Sequence, residues 1–142
     1  MKTNKDVLSS ILKTTQMGQI GIRSIQHAAV KEDLKTALKD QLREYDSIET
    51  EAHNLAAMRG WQLSELNPSV RSMAEMMSRA KLMGSEKDSK IAAMMIQGNT
   101  RGLIKGLKNA HRHQERDEKV TALSQKLLDF EAANIRQMEP FL

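Results

Sequence analysis

Six methionines crowd the middle of this 142-residue chain, Met73, Met76, Met77, Met83, Met94 and Met95, and soft thioethers are the ligand type that holds a cuprous ion. Their helical spacing gives them a plainer use. Met73 and Met77 share an apolar stripe with Val70 and Ala74, and methionine is a flexible filler of irregular contact surfaces, so Met73, Met76 and Met77 read as a packing or partner-binding surface. His111 and His113 close a basic segment with Lys108, Arg112 and Arg116, where a charged imidazole complements a helix C-terminus; no metal role is assigned to them. Gly98, Gly102 and Gly106 recur every fourth residue inside a helical stretch, not in a loop ahead of a helix as a phosphate cradle requires. That spacing suits close helix approach, or a weak helix.

A second set of residues is polar where the helical pattern turns inward. Gln41 and Tyr45 fall near the centre of one apolar face, Asn99 near the centre of another, and Gln19 and Asn134 at the margins of two more. Leaving such a group buried and unpaired costs about 1–3 kcal/mol. They are therefore expected to bond one another, or trapped waters, as a layer that fixes helix register.

The elements that must position these residues are helical. Four aromatics and two prolines, with abundant Ala, Leu, Lys, Glu and Gln, favour helices over a sheet. The length suits one domain with one core. The 22 basic and 18 acidic residues are interspersed, so the net charge of +4 forms no basic arm and no nucleic-acid partner is expected. With no cysteine, disulfides and thiolate metal sites are excluded, which fits a reducing compartment. No run approaches the ~20 apolar residues of a membrane span, so no membrane partner is expected and a cytoplasmic location is the default.

Read in order, a helix opens at Thr3 or Asn4 and runs to about Ala29, with Leu8, Ile11, Thr15, Gly18, Ile22, Ile25 and Ala29 on one face. After a turn at Val30–Asp33, the series Leu34, Leu38, Gln41, Tyr45, Ile48, Ala52, Leu55 carries a second helix to Arg59, stopped by Gly60. Asn67-Pro68 starts a third helix, ended by Gly84. Ser85 or Ser89 caps a fourth, with Ala92, Ile96, Asn99, Leu103 and Ala110 on one face, fading near His113. Asp117 starts the last, with Val120, Leu123, Leu127, Phe130, Asn134, Met138 and Phe141 facing in.

The chain also looks internally repeated. Thr36–Asn54, TALKDQLREYDSIETEAHN, returns in faded form as Thr121–Glu139, TALSQKLLDFEAANIRQME, and Glu44-Tyr45-Asp46 meets Asp129-Phe130-Glu131. Since Tyr45 has Phe130 as its counterpart, only one half supplies a hydroxyl and the polar layer should be asymmetric. A hairpin at about 4–59, a crossover at about 60–85 and a second hairpin at about 86–142 make up one domain. The crossover is expected to travel the length of the bundle and bring the next long helix back to the starting end.

With two hairpins, a long crossover and the paired phrases QMGQIGI (Gln16–Ile22) and QGNTRGL (Gln97–Leu103), the chain resembles the ferritin-like four-helix bundles, small uncharacterised bacterial members in particular. The resemblance implies an all-α four-helix bundle, and the repeat with its capping signals predicts that the halves superpose about a pseudo-twofold axis. Active di-iron members present a Glu from each of two helices and a Glu-x-x-His from each of the other two. This sequence departs from that set: the second helix offers Glu44, Asp46, Glu49 and His53, the last Asp129, Glu131 and Asn134, and the others Gln16, Gln19, Gln97, Asn99 and Thr100. Neutral amides do not offset the charge of two divalent ions.

The expected function is thus non-catalytic binding or scaffolding, with no catalytic residue, no metal and no cofactor assigned, and with self-association, for example as a dimer, among its forms. The alternative is an atypical ferritin-like protein that holds iron or manganese. The sequence names no ligand.

Overall fold

The structure, a computed structural model, describes residues 1–142. It contains five α-helices, α1 (Asn4–Ile25), α2 (Glu32–Arg59), α3 (Ser69–Lys81), α4 (Lys87–Arg112) and α5 (Glu118–Met138), with single 3₁₀ turns after α1 and α5. There are no strands beyond one isolated bridge between Lys2 and His113. No helix is long and apolar enough to cross a membrane.

Local chemistry sets the boundaries. Thr3 and Asp6 form a reciprocal cap: the Asp6 amide donates to Thr3 Oγ1 at 3.1 Å and the Thr3 amide to Asp6 Oδ2 at 3.0 Å. Gly60 ends α2 with φ +69°, a left-handed conformation that carries no steric penalty only in glycine. Asp117 caps α5 by accepting from the amides of Lys119 and Val120. The start of α4 differs from expectation, since neither Ser85 nor Ser89 caps it. Glu86 occupies the boundary at φ +58° without a side-chain cap. Asp88 in the first turn instead accepts from the Val30 and Lys31 amides, at 2.7 and 3.0 Å.

The four long helices share one core, in which α1 packs on α2, α4 on α5, and each pair on the other. Every apolar residue placed on the inner faces of α1 and α2 is buried there. Hydrogen bonds between distant segments show which ends meet. The Lys2 amide reaches the Arg112 carbonyl at 2.8 Å and Arg59 pairs with Asp117 at 2.8 Å, so α1 starts where α2 and α4 end and α5 begins. Asp88 lies at the α1–α2 link, at the other end. Residues 60–86 therefore join the end where α2 stops to the end where α4 begins, and α4 begins opposite the end where α1 starts. The reason is geometric: α2 has already returned the chain to that end, so a spanning crossover can only deliver it to the other.

Of the packing and partner-binding readings of Met73, Met76 and Met77 only the first is removed, and the reading of His113 is corrected. Met73 and Met77 do not pack on the core; they are 62% and 56% exposed, Met76 is 72% exposed, and the only buried residue of α3 is Ser78. The α3 helix packs mainly against α1, so a stripe of apolar side chains exceeds the surface available to cover it. His113 is not a charged cap either. It is buried with Nε2 at 2.6 Å from Asn4 Oδ1, and burial, followed by the charge of Arg116, lowers its pKa below the ordinary histidine value.

Candidate functional site

The centre of the core is built on Tyr45. Its position on α2, one turn from Gln41 and from Ile48, aims it inward, and its ring meets Phe130 edge-on with centroids 4.8 Å apart. Room for the ring comes from α1. A side chain at Gly18 would collide with the Tyr45 ring, so glycine is required opposite the phenol.

The phenol oxygen lies 2.9 Å from Glu131 Oε1 and 3.1 Å from Asn99 Oδ1. A phenol has one proton and serves one acceptor at a time. If the Asn99 amide is turned over, its NH₂ donates to the phenol and its carbonyl is left alone. In either orientation Asn99 keeps one group unpartnered: here Nδ2, together with Glu131 Oε2 and Asn134 Nδ2. All three residues are at least nine-tenths buried.

Burial pushes the Glu131 carboxyl up to about 7, against the hydrogen bond from Tyr45, which lowers it. Burial, and then the charge of Glu131, raises the Tyr45 phenol well above its ordinary value. Near neutral pH the site therefore presents a phenol and a half-protonated carboxyl. A carboxyl poised in this way can donate or accept.

Beside this group opens a cavity of about 310 Å³ between α1, α3 and α4, at the lower end of the range for small-molecule sites. Tyr45, Asn99 and Glu131 form part of its wall, with Met77, Met94 and Met95 as apolar neighbours. Four glycines line it: Gly18, Gly21, Gly98 and Gly102. Two have packing reasons, since a Cβ at Gly18 would strike Tyr45 and one at Gly102 would come within 3.1 Å of Glu131 Cδ. Gly21 and Gly98 have none, because a Cβ at either meets nothing within 4 Å. Each costs the helix roughly 0.5–1 kcal/mol relative to alanine, and what each leaves is open space. The α3 helix closes the cavity from outside, anchored where the hydroxyls of Ser78 and Ser24 meet at 3.0 Å.

The structure thus brings together two of the five expected layer residues, Tyr45 and Asn99, and sets Asn134 one turn from Glu131 on α5. It separates the others. Gln41 donates sideways to Gln137 at 2.7 Å and leaves its own carbonyl unpartnered. Gln19 donates to Asp46 at 2.8 Å and to Glu49 at 3.1 Å, on the α1–α2 seam. Met77 lines the cavity; Met73 and Met76 do not. The residue that the sequence reading left out of the layer is Glu131. Its signal was helical phase: it follows buried Leu127 by four positions and precedes Asn134 by three, whereas its repeat counterpart Asp46 is exposed.

No three His, Asp or Glu side chains converge on a point where they could hold a metal ion. Glu44 faces Lys126 at 3.9 Å, and Glu49 accepts from Gln16 and Gln19. No protein-family model, curated protein or solved structure matches the chain.

Proposed function

We propose that the protein is a non-catalytic binding protein whose ligand enters the cavity between α1, α3 and α4 and bonds to Glu131 and Asn99. The observation that carries this reading is the coincidence of unpartnered, buried polar atoms with a space beside them that no side chain fills. Stranding such atoms costs about 1–3 kcal/mol each, and a ligand hydroxyl, amide or amine would recover that loss. The ligand is a small molecule with an apolar body, because four methionines, four glycines, Ile25, Leu66 and Ala74 make up half of the residues in the wall. Its polar group acts as donor to Glu131 Oε2, acceptor from Asn99, or both. Catalysis is not part of the reading, since the carboxyl and phenol are paired with each other and no nucleophile or metal ligand stands beside them.

The scaffold we infer is a ferritin-like bundle in which residues 60–86 are the crossover. The α1–α2 and α4–α5 pairings and the meeting of Tyr45 with its repeat counterpart Phe130 support that topology. Its metal chemistry does not come with it, because the inward positions hold Tyr45, Asn99 and one carboxylate, which together do not balance two divalent ions.

Titration with 1-octanol and with phenol, followed through the side-chain amide resonances of Asn99 and Asn134, tests the binding reading. Saturable shifts in the native chain, lost in Asn99→Leu while the helical circular dichroism survives, are expected. Unchanged binding in that variant would show that the layer serves structure alone.

A further inference from the structure

A second, wholly polar cavity adjoins the first near the start of α1. Four lysines, one acid (Asp6) and five neutral polar residues, Ser9, Ser10 and Asn109 among them, line it, and Lys13 and Lys105 line both cavities. All seven ion pairs of the chain lie elsewhere, so none of these four ammonium groups has a carboxylate partner. The one acid present, Asp6, accepts from the Thr3 amide as part of the α1 cap and also feels the charges of Lys2 and Lys5, so it offsets one of the four cations and leaves the cavity with an excess of positive charge. Burial, and then the charges of Lys13 and Lys2, lowers the Lys105 pKa, as expected where cations outnumber the acid beside them.

The hydroxyls are arranged to donate. Ser9 Oγ accepts from the Ser64 amide at 3.3 Å, and Ser10 Oγ accepts from Asn109 Nδ2. With a lone pair of each oxygen engaged, the O–H of each serine is free to point elsewhere. Ser9 and Asn109 are themselves buried. Four cations and two hydroxyl donors exceed what the two oxygens of a carboxylate can use, and suit the three strong acceptor oxygens and near-double charge of a phosphate monoester.

We propose that this polar cavity binds a phosphate monoester head, and that the ligand of the first cavity is an organic phosphate whose apolar body lies against Tyr45, Asn99 and Glu131 while its head is held by Lys2, Lys5, Lys13 and Lys105. The proposal rests on the binding reading above and adds the charge and position of the head. Charge sorts the two ends: an anion placed at Glu131 would oppose a half-ionised carboxyl, whereas at the lysines it relieves their mutual repulsion.

Isothermal titration of the native chain with octyl phosphate, octanoate and 1-octanol separates the possibilities. Octyl phosphate should bind at least tenfold more tightly than 1-octanol, with octanoate between them, and the advantage should shrink as salt screens it. Lys2→Gln/Lys5→Gln alters only the second cavity. It should remove most of the octyl phosphate advantage and leave 1-octanol affinity unchanged. Equal affinity for octyl phosphate and 1-octanol would overturn the head assignment and keep the first cavity as a neutral-ligand site. Octanoate binding as tightly as octyl phosphate would overturn the choice of phosphate. If none of the three bound, both readings would fall together.

Discussion

Two polar clusters of this protein treat burial in opposite ways. On the α1–α2 seam, Gln19 donates to both Asp46 and Glu49, Gln16 donates to Glu49, and Arg23 lies 3.6 Å from Asp46. Every amide there ends on a carboxylate, and Asp46 is half exposed. At the core centre, Tyr45, Asn99, Glu131 and Asn134 share too few bonds and leave three atoms unpartnered, two of them on residues that line a cavity. The first cluster holds two helices in register. The second strands hydrogen-bonding capacity where a fold alone gains nothing from it, and two glycines without packing partners keep the adjoining space open. The difference teaches that a satisfied polar group marks architecture, whereas an unsatisfied one next to empty volume marks a place for something else.

The contrast can be tested first through pH. Glu131 has its carboxyl raised from 4.5 to about 7 in the folded chain. A raised acid favours the protonated native state, so it contributes nothing below about pH 4.5, where both folded and unfolded forms hold the proton. As pH rises through that value the unfolded chain ionises first. Stability then falls, levelling off above about pH 7 after a loss on the order of 3 kcal/mol. Urea denaturation between pH 4 and 8 should show this decline, and Glu131→Gln should flatten it. The lowered pKa of His113 acts in the opposite direction over the same interval, so the comparison decides: a native curve that falls no more steeply than that of Glu131→Gln would contradict the burial of this carboxyl.

Gly18→Val comes next. The added methyls meet the Tyr45 ring, which core packing holds in place, and overpacking of this kind costs about 1–3 kcal/mol. The opposite sign is expected at Gly98, where Gly98→Ala should gain roughly 0.5–1 kcal/mol because nothing stands in the way of the new Cβ. A loss at Gly98 would mean that the space there is not free. The smallest effect belongs to the satisfied cluster, where Asp46→Asn should cost under about 1 kcal/mol, as is usual for half-exposed pairs. Thermal melts of the three variants at one pH rank them.

Much of the architecture could be read from residue spacing. The inner faces of α1 and α2, the Thr3 and Asp117 caps and the Gly60 stop each depend on local chemistry, and local chemistry is written in consecutive residues. The inward turn of Tyr45 and Asn99 followed from the same periodicity. What escaped depended on contacts between distant segments. The start of α4 is fixed by Asp88 reaching the α1–α2 link, which no serine near Gly84 foretells. Gln19 and Gln41 have the phase of core residues, yet each lies where a neighbouring helix offers a polar partner, so each turned to the seam. Glu131 was obscured by its charge: in sequence a glutamate reads as solvated, and only the assembled helices show that it turns into the core. The glycines of α4 were rightly read as allowing close approach at Gly102 and Gly106, where a Cβ would come within 3.1 Å of Glu131 and 2.6 Å of Leu128. Gly98, one step earlier in the same series, is there for space instead.

The central claim is that the volume between α1, α3 and α4 is a ligand site and not a packing fault. Gly21→Leu/Gly98→Leu fills that volume from two walls at positions where a Cβ meets no obstacle. Its melting temperature and its affinity for 1-octanol, measured beside the native chain, test the claim together. The account predicts a melting temperature equal to or above that of the native chain and loss of 1-octanol binding by at least tenfold. Retained affinity in a stably folded double variant would contradict it.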